Sequence, residues 1–289
     1  MKQSAARSLL VSLIAIALGI GLAFAGSQAG WAVGPVPAFA LAIGVVFLVQ
    51  WIAFIPAAIG RTDRFFDATG SATYIAVTLT LLAFAPALDL RQVALGVMVI
   101  LWALRIGSFL LVRNIRSGGD NRFDEIRQDP LRFLSVWTIQ GLWVSLTAAA
   151  AWIAISTARS APADWTLWLG AAIWATGFGI EVIADWQKSR FRKHRENADK
   201  FIHSGLWSVV RHPNYLGEIL LWVGVFIAAA PSLQGWQWVA LLSPVFVALL
   251  LTKVSGIPLL EAKAARKWGD DPDYRAYVDR TPKLVPFLR

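Results

Sequence analysis

The sequence predicts an all-α fold: a polytopic membrane helix bundle of about seven to eight transmembrane helices, with both termini cytoplasmic. Three observations carry this expectation. First, 57% of the 289 residues are hydrophobic, only 16% are charged, and the mean hydropathy is +0.56. Soluble domains carry about a quarter charged residues. Second, there are eight apolar runs, near 9–25, 37–59, 68–86, 91–112, 133–157, 165–186, 215–230 and 236–252, most of them close to the ~20 residues that cross a bilayer. Third, if all eight cross, the segments on one side carry 2, 2, 5, 7 and 8 of the 27 Lys and Arg. Arg91 and Arg159 fall on the other side, and Arg105 lies inside a span. That bias assigns the basic side to the cytoplasm. The net charge of +9 then reflects orientation and attraction to anionic headgroups, and no nucleic-acid partner is expected.

The first run follows Lys2 and Arg7 and ends near Ala23-Phe24-Ala25, a small-residue pattern like a signal-peptide cleavage site. Its 17-residue length is long for such a segment, and its removal would leave the other orientations unchanged. At the start of the third run, Asp67, Ser71 and Tyr74 fall at i, i+4 and i+7. A carboxyl and a phenol on one apolar face could polarise a carbonyl or deliver a proton. The alternative is that Asp67 caps the helix, with Asp63 and Arg64 as nearby solvated charge. In the fourth run, Arg105 lies about two turns inside and Arg113 two turns further along the same face. They either snorkel or form a phosphate site near the inner leaflet.

Ionisable groups inside a span are functional candidates by default. On the sixth run, Glu181, Asp185, Lys188 and Arg192 form one stripe, read either as a functional site or as a helix end paired internally through Asp185 and Lys188. The seventh run opens with RHPNYLGE, Arg211 to Glu218. Pro213 suits the first turn of a helix, whose N-terminus attracts anions through free N–H groups and its dipole. Arg211 and His212 add donors there, and Asn214 and Glu218 share a face four residues apart. In the tail, 258–268 reads as helix and DDPDY as a turn. Among the 15 Trp, Trp31, Trp165, Trp168, Trp236 and Trp238 near the outer ends, with Trp186 and Trp207 near the inner ones, read as an interfacial belt.

There is no cysteine, so disulfides, thiolate nucleophiles and zinc-thiolate sites are excluded. His194, His203 and His212 share one loop, but no HExxH spacing accompanies them, and no metal site is expected. There is no GxGxxG after a strand, no Walker A loop and no GxSxG elbow. A nucleotide would therefore bind in a helical cavity.

As a set, several stretches resemble a bacterial integral-membrane family carrying the steroid 5-alpha-reductase C-terminal domain. They are Trp102 to Arg105, RSGGDNRFDEIR (Arg116–Arg127), EVIADWQKSRFR (Glu181–Arg192), HSGLWSVVRHPNYLGE (His203–Glu218) and the tail from Ser255 to Phe287. The likeness covers roughly 60–289. It implies an NADPH-dependent reductase of an activated carbon–carbon double bond, an enone, in a steroid-like or other lipophilic substrate arriving from the bilayer. By the same resemblance, Glu181, Asp185, Arg192, Asn214, Glu218 and Tyr277 would hold the coenzyme; Arg211, His212 and Tyr215 of the Arg-His-Pro-Asn-Tyr stretch, with Arg105 and Arg113, are further candidates for binding it. The family's ketone-polarising tyrosine is Trp102 here, which leaves Asp67 and Tyr74 as the catalytic candidates. The Arg-His-Pro-x-Tyr stretch also resembles isoprenylcysteine and phospholipid methyltransferases, which implies S-adenosylmethionine as the alternative cofactor. Residues 1–66 read as N-terminal transmembrane helices. Residues 67–289 read as the catalytic domain, with cytoplasmic loops 113–132 and 187–214 and a tail from 253. The expected setting is a bacterial inner membrane, with membrane lipids as partners and no obligate protein partner.

Overall fold

The structure is a computed structural model that describes residues 5–117, 123–159 and 161–287, with the side chains of 113–117 outside the description. Its packing separates two compact units, residues 5–167 with 228–243, and 168–227 with 244–287.

The first unit holds α1 (Ala5–Gly26), a minimal hairpin of β1 (Ala32–Val33) and β2 (Val36–Pro37), α2 (Ala38–Ile59), α3 (Phe66–Phe84), α4 (Leu90–Ser117) and α5 (Pro130–Ser156). The hairpin turns at Gly34, whose φ of +58° suits a residue without Cβ. Helix α5 is the core of this unit, packed against α1, α2, α3 and α4. Ala148 to Ile155 are fully buried in succession, as expected of a helix that is apolar all round. Asp129 caps its start by accepting from the Leu131 and Arg132 N–H groups, and Pro130 fits the first turn. Trp152 donates to Thr78 Oγ1 at 2.9 Å.

The second unit contains most of α6 (Trp165–Lys193), the single turn α7 (Leu206–Val209) and α8 (Pro213–Ala229). Most of α9 (Leu242–Leu249), with α10 (Ile257–Trp268) and α11 (Pro272–Arg280), completes it. Here α6 and α8 meet backbone to backbone. A Cβ on Gly177 would lie 2.5 Å from the Gly217 carbonyl, and one on Gly217 would lie 2.5 Å from the Gly177 carbonyl. Small residues allow such close approach between membrane helices, and this crossing sets Glu181 beside Gly217.

Among the described residues, seven stretches are long and apolar enough to cross a membrane: α1, α2, 90–112, α5, α6, 213–232 and 235–268. The chain is a polytopic helical membrane bundle. The third expected run forms α3 but is not among the seven. Its 19 residues would cover about 28 Å, but they include Asp67, Ser71 and four threonines, which lower its hydropathy. The eighth run is irregular: a 3-10 stretch over Gly235–Leu241, then α9, then a π turn over Leu250–Val254.

Four expectations need correction. DDPDY opens a helix instead of forming a turn. Asp271 accepts from the Asp273 N–H at 2.9 Å, and Pro272 takes the first helical position of α11, so these residues act as a helix cap. Asp67 does not cap α3; the cap position is Phe65, and Asp67 sits in the first turn. Asp63 is not solvated: it is 2% exposed and accepts from Arg127 at 3.0 Å. Trp207 is not in an interfacial belt. It is buried, and its indole donates to the Ala184 carbonyl at 3.1 Å. Trp165, Trp168, Trp186, Trp236 and Trp238 are exposed, as a belt requires.

Candidate functional site

Continuous helix α6 delivers the stripe Glu181, Asp185, Lys188, Arg192 on one face, as its spacing predicts. Glu181 is 2% exposed and Asp185 8%. From α8, Asn214 donates through Nδ2 to Asp185 Oδ1 at 3.3 Å. The Asn214 Oδ1 atom is buried and has no hydrogen-bond partner among the described residues. Glu218 is half-buried on the next turn of the same helix. Four of the expected coenzyme residues therefore converge on the α6–α8 crossing.

Around the start of α8 the chain closes a second cluster, and here the sequence reading missed a residue. Glu261 on α10 accepts from Arg211 Nη1 at 2.8 Å through Oε2 and meets His212 Nε2 at 2.9 Å through Oε1. An ionised carboxylate can only accept, so the imidazole proton sits on Nε2 and Nδ1 is left as an acceptor. Burial lowers the His212 pKa below its usual 6.5, against the opposing pull of Glu261. The imidazole therefore stays neutral at physiological pH. Tyr215 stacks on the imidazole, with centroids 5.9 Å apart and planes 13° apart.

Arg211 and His212 do not present free backbone donors. The Arg211 N–H donates to the Pro282 carbonyl at 2.9 Å, and the His212 N–H to the Lys283 carbonyl at 3.1 Å. The tail thus straps back across the motif. Tyr277 is buried, and its phenol donates to the Trp207 carbonyl at 2.6 Å, so it serves as wall and tether. Burial raises the Tyr277 pKa well above the usual phenol value, keeping that donor protonated.

Beside this cluster lies a cavity of about 210 Å³. Among the described residues, six cationic side chains line it, Lys188, Arg192, Lys200, Arg211, Lys263 and Lys267, with Glu261 as the only carboxylate. Its aromatic walls include Phe201, Trp207, Trp268, Tyr274 and Tyr277. Phe201 packs within 5.1–6.0 Å of the Tyr274, Tyr277 and Trp268 rings. Lys188 Nζ sits 4.4 Å from the Trp207 ring centroid, a cation–π contact that holds the ammonium in place. Excess positive charge between aromatic faces suits an anionic ligand with a flat ring.

Of the expected site residues, Arg192, Arg211, His212 and Tyr277 line this cavity, while Glu181, Asp185, Asn214 and Glu218 gather at the α6–α8 crossing. The lysines of the α10 face and Glu261 were missed. The usable signal was a single acid within a basic amphipathic helix, LLEAKAARK.

Asp67, Tyr74 and Arg105 belong to the first unit. Tyr74 is 5% exposed, with its ring edge-on to Trp102 at 5.0 Å. Asp67 is half-buried, and the Arg105 guanidinium lies 5.4 Å from the Phe109 ring centroid. Arg113 is outside the described side chains.

The family model described as "Protein of unknown function (DUF1295)" matches residues 53–281. Steroid 5-alpha-reductase DET2 of Gossypium hirsutum is 27% identical over 124 residues, covering 43% of each chain. The 3-oxo-5-alpha-steroid 4-dehydrogenase 1 of Rattus norvegicus is 30% identical over 119 residues, covering 41% of this chain and 40% of that one. An uncharacterized protein of Schizosaccharomyces pombe is 26% identical over 232 residues, covering 68% of this chain and 64% of that one. The chain thus spans less than two thirds of the length of each of these relatives. No solved structure matches. The match over most of its length places this chain in the DUF1295 family, and part of the chain is similar to steroid 5-alpha-reductases.

Proposed function

We propose that this protein is a membrane reductase that uses NADPH to reduce an activated carbon–carbon double bond in a steroid-like or other lipophilic substrate. The observation that carries the reading is the aromatic-walled cavity with six cations and one carboxylate. NADPH is polyanionic and carries flat rings, so the donor set fits it; the buried Asn214 Oδ1, with no hydrogen-bond partner among the described residues, is an acceptor suited to an amide or hydroxyl. A cavity of about 210 Å³ is below the roughly 300–1,000 Å³ of common small-molecule pockets. It therefore accommodates one end of a dinucleotide, its phosphates and one ring.

When bound, the coenzyme supplies a hydride to the carbon beta to a carbonyl. The chain's residues do the rest. Arg192, Lys200, Lys263 and Lys267 would bind phosphate by charge-assisted hydrogen bonds. Arg211 would be held in orientation by Glu261, and the acids at the α6–α8 crossing would accept from hydroxyl or amide groups. Asp67 and Tyr74 are proposed as the groups that stabilise and protonate the enolate. The proposed setting is a bacterial inner membrane, in which the Lys and Arg bias would place the basic side in the cytoplasm.

Thermal unfolding of the detergent-solubilised protein tests the reading. NADPH should raise Tm by mass action, and S-adenosylmethionine should not, because its sulfonium centre is repelled by six cations. A shift with S-adenosylmethionine alone would replace this reading with a methyltransferase. No shift with either ligand would leave the charged cavity without a coenzyme role and refute the proposal.

A further inference from the structure

Helix α6 has a second, exposed face, opposite the stripe that runs from Glu181 to Arg192. Ile183, Trp186 and Arg190 lie there at i, i+3 and i+7. Ile183 is 47% exposed, Trp186 57%, and Arg190 is exposed as well. The Arg190 guanidinium sits 5.4 Å from the Trp186 ring centroid. From the membrane span outward, the sequence is therefore aliphatic, then indole, then cation, the order of a lipid–water boundary.

This face ends in a concavity of about 300 Å³ bounded by Trp186, Arg190, His194, Asn197 and Ser204. Its walls are fixed by the fold. Asn197 Nδ2 donates to the Phe191 carbonyl at 3.0 Å, and Gln187 Oε1 accepts from the Leu206 N–H at 3.0 Å. Among the described residues no carboxylate lines it. The occupant must combine an anionic head with hydrocarbon. A soluble phosphate would leave Ile183 and Trp186 uncovered, and a zwitterionic headgroup would leave Arg190 poorly compensated.

We propose that this concavity is a binding site for one anionic glycerophospholipid of the basic-side leaflet. The phosphate meets Arg190 and His194, and an acyl chain lies along Trp186 and Ile183. The site is separate from the cationic cavity, which α6 lines with Lys188 and Arg192.

The test uses full-length, delipidated protein in detergent. Tm is followed while phosphatidylglycerol or phosphatidylcholine of identical chains is added, with glycerol 3-phosphate as the soluble control. In the wild type, phosphatidylglycerol should act at a concentration about tenfold lower than phosphatidylcholine. Arg190→Gln with His194→Gln should remove that preference while the response to NADPH is kept. Trp186→Ala should weaken both lipids. Equal titration by the two lipids in the wild type, an unchanged preference in the double variant, or a full shift with glycerol 3-phosphate would each overturn the proposal.

Discussion

Two buried arginines differ in how completely they are satisfied. In the first unit, Arg91 is fully buried. Its Nε donates to the Ala161 carbonyl at 3.3 Å. Its Nη1 donates to Thr166 Oγ1 at 3.1 Å and to the Ala228 carbonyl at 2.5 Å. Its Nη2 donates to the Pro162 carbonyl at 2.8 Å and to Asp164 at 2.9 Å. A guanidinium has five N–H donors, and all five are used. The exposed Asp164 carboxyl is held down to about 2 by Thr166 and Arg91. In the second unit, Arg211 has one carboxylate, Glu261, and a buried Nε with no hydrogen-bond partner among the described residues. It also lines a cavity with five other cations. A closed arrangement of polar groups fixes a structure, whereas one with spare donors and excess charge can accept a ligand.

This contrast can be broken by mutation. The largest effect should come from Arg91→Leu. It leaves three carbonyls without their donor, at about 1–3 kcal/mol each if they stay dry. Tm should fall by several degrees or more, while the affinity of the remaining folded protein for NADPH is retained. A small change in Tm would show that the Arg91 cluster rearranges or is hydrated.

Arg192→Ala should show the opposite pattern: NADPH affinity lower by about tenfold, equivalent to ~1.4 kcal/mol, with Tm nearly unchanged. Glu218→Gln should likewise weaken binding more than folding. Isothermal titration beside thermal unfolding separates the two quantities, and equal losses in both would make these residues structural.

Asp67→Asn should reduce the NADPH oxidation that accompanies reduction of a steroid enone by about 10²-fold, with NADPH affinity kept. Unchanged turnover would remove Asp67 from the mechanism.

The smallest effect concerns pH. The folded His212 has a pKa below 6.5 because burial disfavours its charged form. As pH falls through 6.5, the unfolded chain takes up a proton that the folded chain refuses. Stability present above 6.5 is therefore lost until pH drops below the folded value. His212→Gln should flatten that part of the Tm-against-pH curve. An identical curve would show that other groups govern it.

The spans and the stripe on α6 were legible because each depends on neighbours within a few turns. The start of α8 at Pro213 was legible for the same reason: proline acts on its own turn. Asp271 carried an equally local signal, but a cap and a turn use the same residue types, and only the helix that follows decides between them. Trp207 was misread because position near a helix end says nothing about what packs over the ring. Here the Ala184 carbonyl accepts from the indole and Lys188 lies over the ring, while Tyr277 donates to the Trp207 backbone carbonyl.

The sequence by itself determined that this chain lives in a membrane and roughly where it crosses. Hydropathy, helical period and charge bias are properties of short stretches. The tertiary structure alone decided that Glu261, some 50 residues away, neutralises Arg211 and orients His212. It likewise decided that Arg91 is sealed while the lysines of α10 border a cavity. The physical reason is range: a charge behaves as anchor or as binding group according to the partners and water around it, and distant segments of the chain bring those partners.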